Sequence, residues 1–301
     1  MLARSISLIE DRAPGILDAL GGLHTRRAAG AGAPHVVGFT GPPGAGKSTF
    51  VDRMIGLARE LEQRVAVVAV DPSSPFSGGA ILGDRLRMER HISDRSVFIR
   101  SISSRGHLGG LSRATGQVVD LLDAVGFDLV LVETVGVGQS ELAICEVADT
   151  SVVVLTPESG DTVQTMKAGL LEIADIFVVN KADRPGAERL CRDLEAAVHL
   201  DAAGDGDWVT PVSAASAVKN TGIDEVMQRA RAHLDWCVGE GAERWAKRRG
   251  RGRVRTFLDL VADDARARAD AALRRDSAAL RSELFSGVVN PYVAAAGWEE
   301  R

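Results

Sequence analysis

Eight residues, Gly41-Pro42-Pro43-Gly44-Ala45-Gly46-Lys47-Ser48, have the types and the spacing to hold a chain of phosphates. They fit the pattern G-x-x-x-x-G-K-[ST]. Glycines allow a tight turn whose N–H groups point inward as an anion nest. A helix starting where the loop ends adds positive partial charge at the same place. Lys47 would reach the β and γ phosphates, and the Ser48 hydroxyl would sit on Mg²⁺. Gly44, Ala45, Gly46, Lys47, Ser48 and Thr49 therefore form the expected phosphate-binding set.

A second group reads a base. Asn180-Lys181-Ala182-Asp183 fits N-K-x-D. A carboxylate at Asp183 can accept from both the ring N1–H and the exocyclic N2 amine of guanine. Adenine has no such donor pair, so binding it would leave a charge unsatisfied, and unpaired polar groups discriminate strongly. The Lys181 stem can cover the base, and Asn180 can brace neighbouring loops. Ser213-Ala214-Ala215, after Val209-Thr210-Pro211-Val212, has the form of a companion loop whose backbone N–H meets the guanine carbonyl.

Carboxylates make a third group. Glu133, in Glu133-Thr134-Val135-Gly136, ends an apolar run, and the glycine after it can swing toward a γ-phosphate. Asp71 ends another apolar run, and Asp84 follows a loop rich in Gly, Ser and Pro over 72–83. Mg²⁺ keeps several waters and takes one or two carboxylates besides phosphate oxygens. Three acids exceed what direct ligation needs, so some act through water or in one state only. Asp84 reads equally well as a switch residue or as a helix cap. No Ser-His-Asp set, metalloprotease motif or carboxylate pair for hydrolysis stands out. His107, within Arg105–Gly110, reads as a loop residue.

These residues need elements to place them. Short β-branched runs at 35–40, 65–71, 97–101, 129–133, 152–156, 177–180 and 209–213 alternate with helical stretches. Several are apolar throughout, as strands buried on both faces are. Alternation of this kind predicts a doubly wound, mostly parallel α/β sheet, with the motifs at strand ends. Residues 1–34 read as a helical N-terminal extension, 35–238 as the nucleotide-binding domain, and 239–301 as a helical C-terminal arm. Residues 239–253 read as a polar, basic break. Beyond them Val254, Phe257, Leu258, Val261 and Ala265 make one helical stripe that needs a partner surface, and a two-fold homodimer supplies one.

Composition narrows the class. The 301 residues are 45% hydrophobic and 26% charged, with a formal net charge of −5, which excludes bulk electrostatic attraction to nucleic acid. Three cysteines lie far apart and read as reduced thiols of a cytoplasmic protein. No apolar run approaches the ~18 residues of a membrane span.

The chain resembles the MeaB/ArgK-type GTPases, the G-protein chaperones associated with methylmalonyl-CoA mutase. The matching text is GFTGPPGAGKST, VAVVAVDPSSPFSGGAILGDRLRM, VFIRSISSRGHLGGLS, DLVLVETVGVGQSE and FVVNKAD, and the likeness runs nearly end to end. The resemblance implies the SIMIBI type of P-loop fold, a homodimer, and a GTP/GDP cycle with Mg²⁺. It implies Lys47, Asp84 and Glu133 as the catalytic set, Ser48, Asp71, Asp84 and Glu133 around Mg²⁺, and Asn180 and Asp183 on guanine. The partner it implies is an adenosylcobalamin-dependent acyl-CoA mutase: methylmalonyl-CoA mutase or a relative such as an isobutyryl- or 2-hydroxyisobutyryl-CoA mutase. Loops 72–84 and 133–141 would be ordered by GTP. So would an extra switch over 157–167, with Gly160, Asp161, Gln164 and Lys167 matching the family. The chain departs at Phe257-Leu258, where family members carry a Trp-Met pair. Nickel-delivery GTPases on the same fold and P-loop kinases are the rival classes. The six scattered histidines argue against the first, and the guanine motif against the second.

Overall fold

A computed structural model describes residues 1–27, 33–71, 88, 90–103, 114–134, 140–159, 171–201, 207–275, 278–296 and 298. Among the described residues, seven strands form one sheet: β1 (His35–Thr40), β2 (Val65–Asp71), β3 (Val97–Ser103), β4 (Leu129–Glu133), β5 (Thr150–Leu155), β6 (Ile176–Val179) and β7 (Val212–Ala214). Their order is β3-β2-β4-β1-β5-β6-β7, and every pairing is parallel. All seven expected strands are present. The last is shorter than expected: Val209 is exposed, and Pro211 has no N–H to give a ladder, so pairing begins at Val212.

The strands are apolar because both faces are covered. Val37, Phe39, Val67, Leu131, Val154 and Val178 face a core shared with α3 (Lys47–Glu60) and α7 (Ile223–Val238). Their neighbours Val36, Val68, Val130 and Val132 face the other way. They meet α1 (Leu2–Glu10), α4 (Ala114–Val125) and α5 (Ser140–Val147). Val153, Leu155, Phe177 and Val179 pack against α6 (Ala187–Asp201). The N-terminal stretch forms α1 and α2 (Ile16–Arg27). Ile6 and Ile9 of α1 are fully buried, and Arg100 of β3 donates to Glu10 Oε2 at 2.6 Å.

The expected break is confined to the turn at 239–241; the rest of the polar stretch is helical, and α8 runs over Ala242–Arg275. Arg, Lys, Ala and Glu are good helix formers, and they outweigh two glycines. Two compact units divide at Gly250 and Arg251. In the second unit, the later turns of α8 are followed by α9 (Ala278–Ser286) and α10 (Pro291–Ala296). There Val254, Phe257, Leu258 and Val261 are about half exposed or more.

Candidate functional site

The C-terminal ends of β1, β4, β5 and β6 bring the sequence motifs to one edge of the sheet. The loop after β1 turns at Gly41, whose φ is +134°. A Cβ there would lie 2.1 Å from the Val154 carbonyl oxygen of β5, so only glycine fits. Gly46 is the N-cap of α3 at φ +86°, and a Cβ on it would lie 2.5 Å from Asn180 Nδ2. With glycine at this cap, α3 begins without a capping side chain, which is how an anion-binding helix start is built. Lys47 is buried and turns its ammonium back across the loop. It donates to the carbonyls of Gly41 at 2.8 Å and Pro42 at 3.2 Å. Ala45 is also buried, inside the loop.

Beside it, β4 pairs with β1 so that Glu133 lies opposite Phe39. Ser48 Oγ, on the first turn of α3, donates to Glu133 Oε1 at 2.7 Å, and both residues are buried. A hydroxyl and a carboxylate held together are hard oxygen donors, and that set suits Mg²⁺. Thr134 continues the strand end, donating from N to the Phe39 carbonyl at 3.0 Å. Asp71 occupies the end of β2, paired with Ser103 of β3. Asp84, Gly136, His107 and the residues Gly160, Asp161, Gln164 and Lys167 lie outside the described residues.

Asn180 does what its type suggested. Its Nδ2 donates to the Ala45 carbonyl at 2.7 Å, and its Oδ1 accepts from Ala217 N at 3.1 Å. One buried side chain thus ties the phosphate loop to the loop after β7. Lys181 has φ +57°, a left-handed conformation uncommon outside glycine. The next residue, Ala182, donates its N–H to the Ala215 carbonyl at 2.9 Å.

Asp183 is held by Ser216, whose Oγ donates to Oδ1 at 2.7 Å, while Lys219 Nζ lies 3.8 Å from Oδ2. That hydroxyl is the main reason the Asp183 carboxyl sits below its ordinary value. The structure separates the expected triplet Ser213-Ala214-Ala215 from this contact. Ser213 and Ala214 belong to β7; Ser213 is buried, with Oγ 3.4 Å from Glu225 Oε1, and Ala215 N is used by the Val179 carbonyl. The residues meeting Asn180 and Asp183 are Ser216 and Ala217, a second Ser-Ala pair three positions on. The repeat was readable in the sequence. Which copy faces the site depends on where β7 ends, and Pro211 delays that strand.

The family model "Methylmalonyl Co-A mutase-associated GTPase MeaB" matches residues 2–274. A Mycobacterium bovis protein named as a probable GTPase is 40% identical over 299 residues, 98% of this chain and 88% of that one. A Pyrococcus abyssi relative is 50% identical over 212 residues, 70% of this chain and 65% of its own length. A crystal structure titled "LAO/AO transport system kinase" superposes with a TM-score of 0.67 at 25% identity. It covers 98% of this chain and 90% of that one. Strand order, phosphate loop and family match converge, and the chain belongs to the MeaB family of GTPases.

Proposed function

We propose that this chain binds GTP with Mg²⁺, hydrolyses it slowly when alone, and acts as a homodimeric chaperone of an adenosylcobalamin-dependent acyl-CoA mutase. The observation that carries the nucleotide part is the pair of hydrogen bonds by which Asn180 donates to the Ala45 carbonyl and accepts from Ala217 N. It fixes the phosphate loop and the guanine-reading residues in one frame. Lys47 and the start of α3 would hold the phosphates. Asp183 would take the two guanine donors, and Ser216-Ala217 would serve as the companion loop. Ser48 and Glu133 fit a bound Mg²⁺, with Asp71 and Asp84 as the further acids in that reading. The ion would supply charge neutralisation on the phosphates.

Slow turnover follows from what Glu133 is doing. Its Oε1 accepts the Ser48 hydroxyl, which holds that oxygen on the cation side of the site. Among the described residues no other group is placed to activate a water, and a GTPase without such a group waits for a partner to complete it. The mutase partnership is supported by the family's name and by the extent of the match. The homodimer is supported by the exposed stripe Val254, Phe257, Leu258 and Val261.

To test this, the protein is immobilised with a non-hydrolysable GTP analogue and challenged with extract of its own cells, with Lys47→Ala as control. The expected result is a B12-dependent acyl-CoA mutase, identified by mass and by its activity and lost with the variant. Retention of a hydrogenase, a urease or a transport protein with no mutase overturns the chaperone reading. Intrinsic turnover of tens per second would overturn the slow-GTPase reading. Phosphate transfer to an acceptor other than water would revive the kinase reading.

A further inference from the structure

The short 3₁₀ turn Pro157–Ser159 follows β5 and packs onto the loop after β6. A Cβ on Gly186 would lie 3.6 Å from Pro157 Cβ. From this turn Glu158 extends one carboxylate between two cations of that loop. Arg184 Nη1 donates to its Oε1, and Lys181 Nζ lies 4.0 Å from its Oε2. Thr156, buried at the end of β5, donates to the same carboxylate. Arg184 foremost, then the residue's own backbone and Thr156, hold Glu158 down to about 2, so it is charged wherever the protein works.

Lys181 is the residue whose stem would lie against a base. Its Cα is fixed: the backbone is left-handed, and Arg184 N closes a turn on its carbonyl at 2.9 Å. Its four side-chain torsions are a different matter, because ordering a lysine side chain costs rotamer entropy at the moment of binding. An anion at the far end of the stem removes part of that cost beforehand. We infer that Glu158 is a positioning residue for guanine recognition, anchored by Arg184 and holding the Lys181 ammonium so that the stem lies across the base position defined by Asp183. The inference rests on the guanine reading of residues 180–183.

A single exposed ion pair has a small effect, and salt screens it, which sets the scale of the test. Affinity for GDP is measured at about 0.05 M and about 0.5 M salt. The proteins are the wild type, Glu158→Gln, Lys181→Met and the double variant. The expected result is a roughly threefold weaker Kd for Glu158→Gln at low salt, absent at high salt and absent when Lys181 is already Met. Glu158 is half exposed and Gln is isosteric, so folding is not at stake. An unchanged Kd at low salt, or the same factor in the Lys181→Met background, overturns the inference while leaving guanine binding intact. A wild-type protein that does not prefer GDP over ADP overturns the guanine reading itself.

Discussion

The two ends of the sheet are both polar, and they differ in what their polar groups hold. At the C-terminal ends of the strands, side chains tie loops of the candidate site: Lys47 to Gly41 and Pro42, Asn180 to Ala45 and Ala217, Ser48 to Glu133 and Ser216 to Asp183. At the N-terminal ends, helix side chains close on the acids, hydroxyls and carbonyls where the strands begin. Arg248 of α8 gives Nη1 to both oxygens of Asp175, at 3.1 and 2.9 Å. It gives Nε to the Cys145 carbonyl and Nη2 to the Ala148 carbonyl and Ser151 Oγ. Asp149 takes Val36 N at 3.0 Å and the Trp245 indole N–H at 3.2 Å. His35 and His233 share the Thr150 hydroxyl, at 2.8 and 2.9 Å. The first end is built to exchange partners with a ligand, and the second to keep the ones it has. Damage at one should therefore appear in binding, and at the other in stability.

The largest expected effect breaks the first end. Lys47→Ala removes the cation from the phosphate loop, and GTP turnover should fall by more than ~100-fold. Thermal stability should change little, because the loop keeps its glycines. A variant that still turns over GTP within tenfold of wild type would sink the assignment of Lys47.

Next comes the opposite end. Arg248→Ala leaves Asp175, largely buried, with the Ser151 N–H and the His233 ring but without its permanent cation, and losing that cation costs about 3 kcal/mol. Chemical denaturation should show that loss, while GDP affinity under native conditions stays the same. A drop in affinity at full folding would show that the two ends are coupled.

Asp183→Asn sharpens the comparison on the binding side. The amide replaces one acceptor with a donor and opposes the guanine amine, so the preference for guanine over adenine nucleotides should fall by about 100-fold. Competition binding with GDP and ADP measures it. An unchanged preference would move base reading away from this carboxylate.

The two ends also differ in how far they could be read from the residues alone. The phosphate loop spans eight consecutive residues and N-K-x-D four, so local chemistry announces them. The apolar runs announced the sheet because a strand buried on both faces leaves no polar alternation. Strand ends were the weak point. Ser216 was missed because choosing between two Ser-Ala pairs needs the end of β7, and that is set by pairing with β6. The network at the N-terminal strand ends, the lower end, was invisible. Arg248 meets Asp175 across 73 positions and His35 meets Thr150 across 115. No local pattern marks an arginine in a basic helix as tied to the sheet. The same contacts explain why 239–253 read as a break: three of its residues, Trp245, Arg248 and Arg249, are ordered by the acids Asp149 and Asp175 of the sheet edge.

The smallest expected effect is a pH dependence that belongs to the lower end alone. Burial pushes His35 down to about 4; Asp149 opposes this, while His233 and Arg231 add to it. Unfolded, the ring returns to 6.5. Between those values the unfolded chain binds more protons than the folded one, so stability rises with pH. The contribution is fully present above 6.5 and is lost as pH falls toward 4. At pH 5.5 it amounts to about 1 kcal/mol of lost stability, and His233, also lowered chiefly by burial, acts in the same direction. His35→Gln keeps a partner for the Thr150 hydroxyl and cannot take up a proton. Urea unfolding at pH 7 and pH 5.5 should therefore give a smaller difference for the variant than for the wild type. Equal differences would mean that His35 is accessible enough to titrate normally, and that the lower end is less closed than its hydrogen bonds imply.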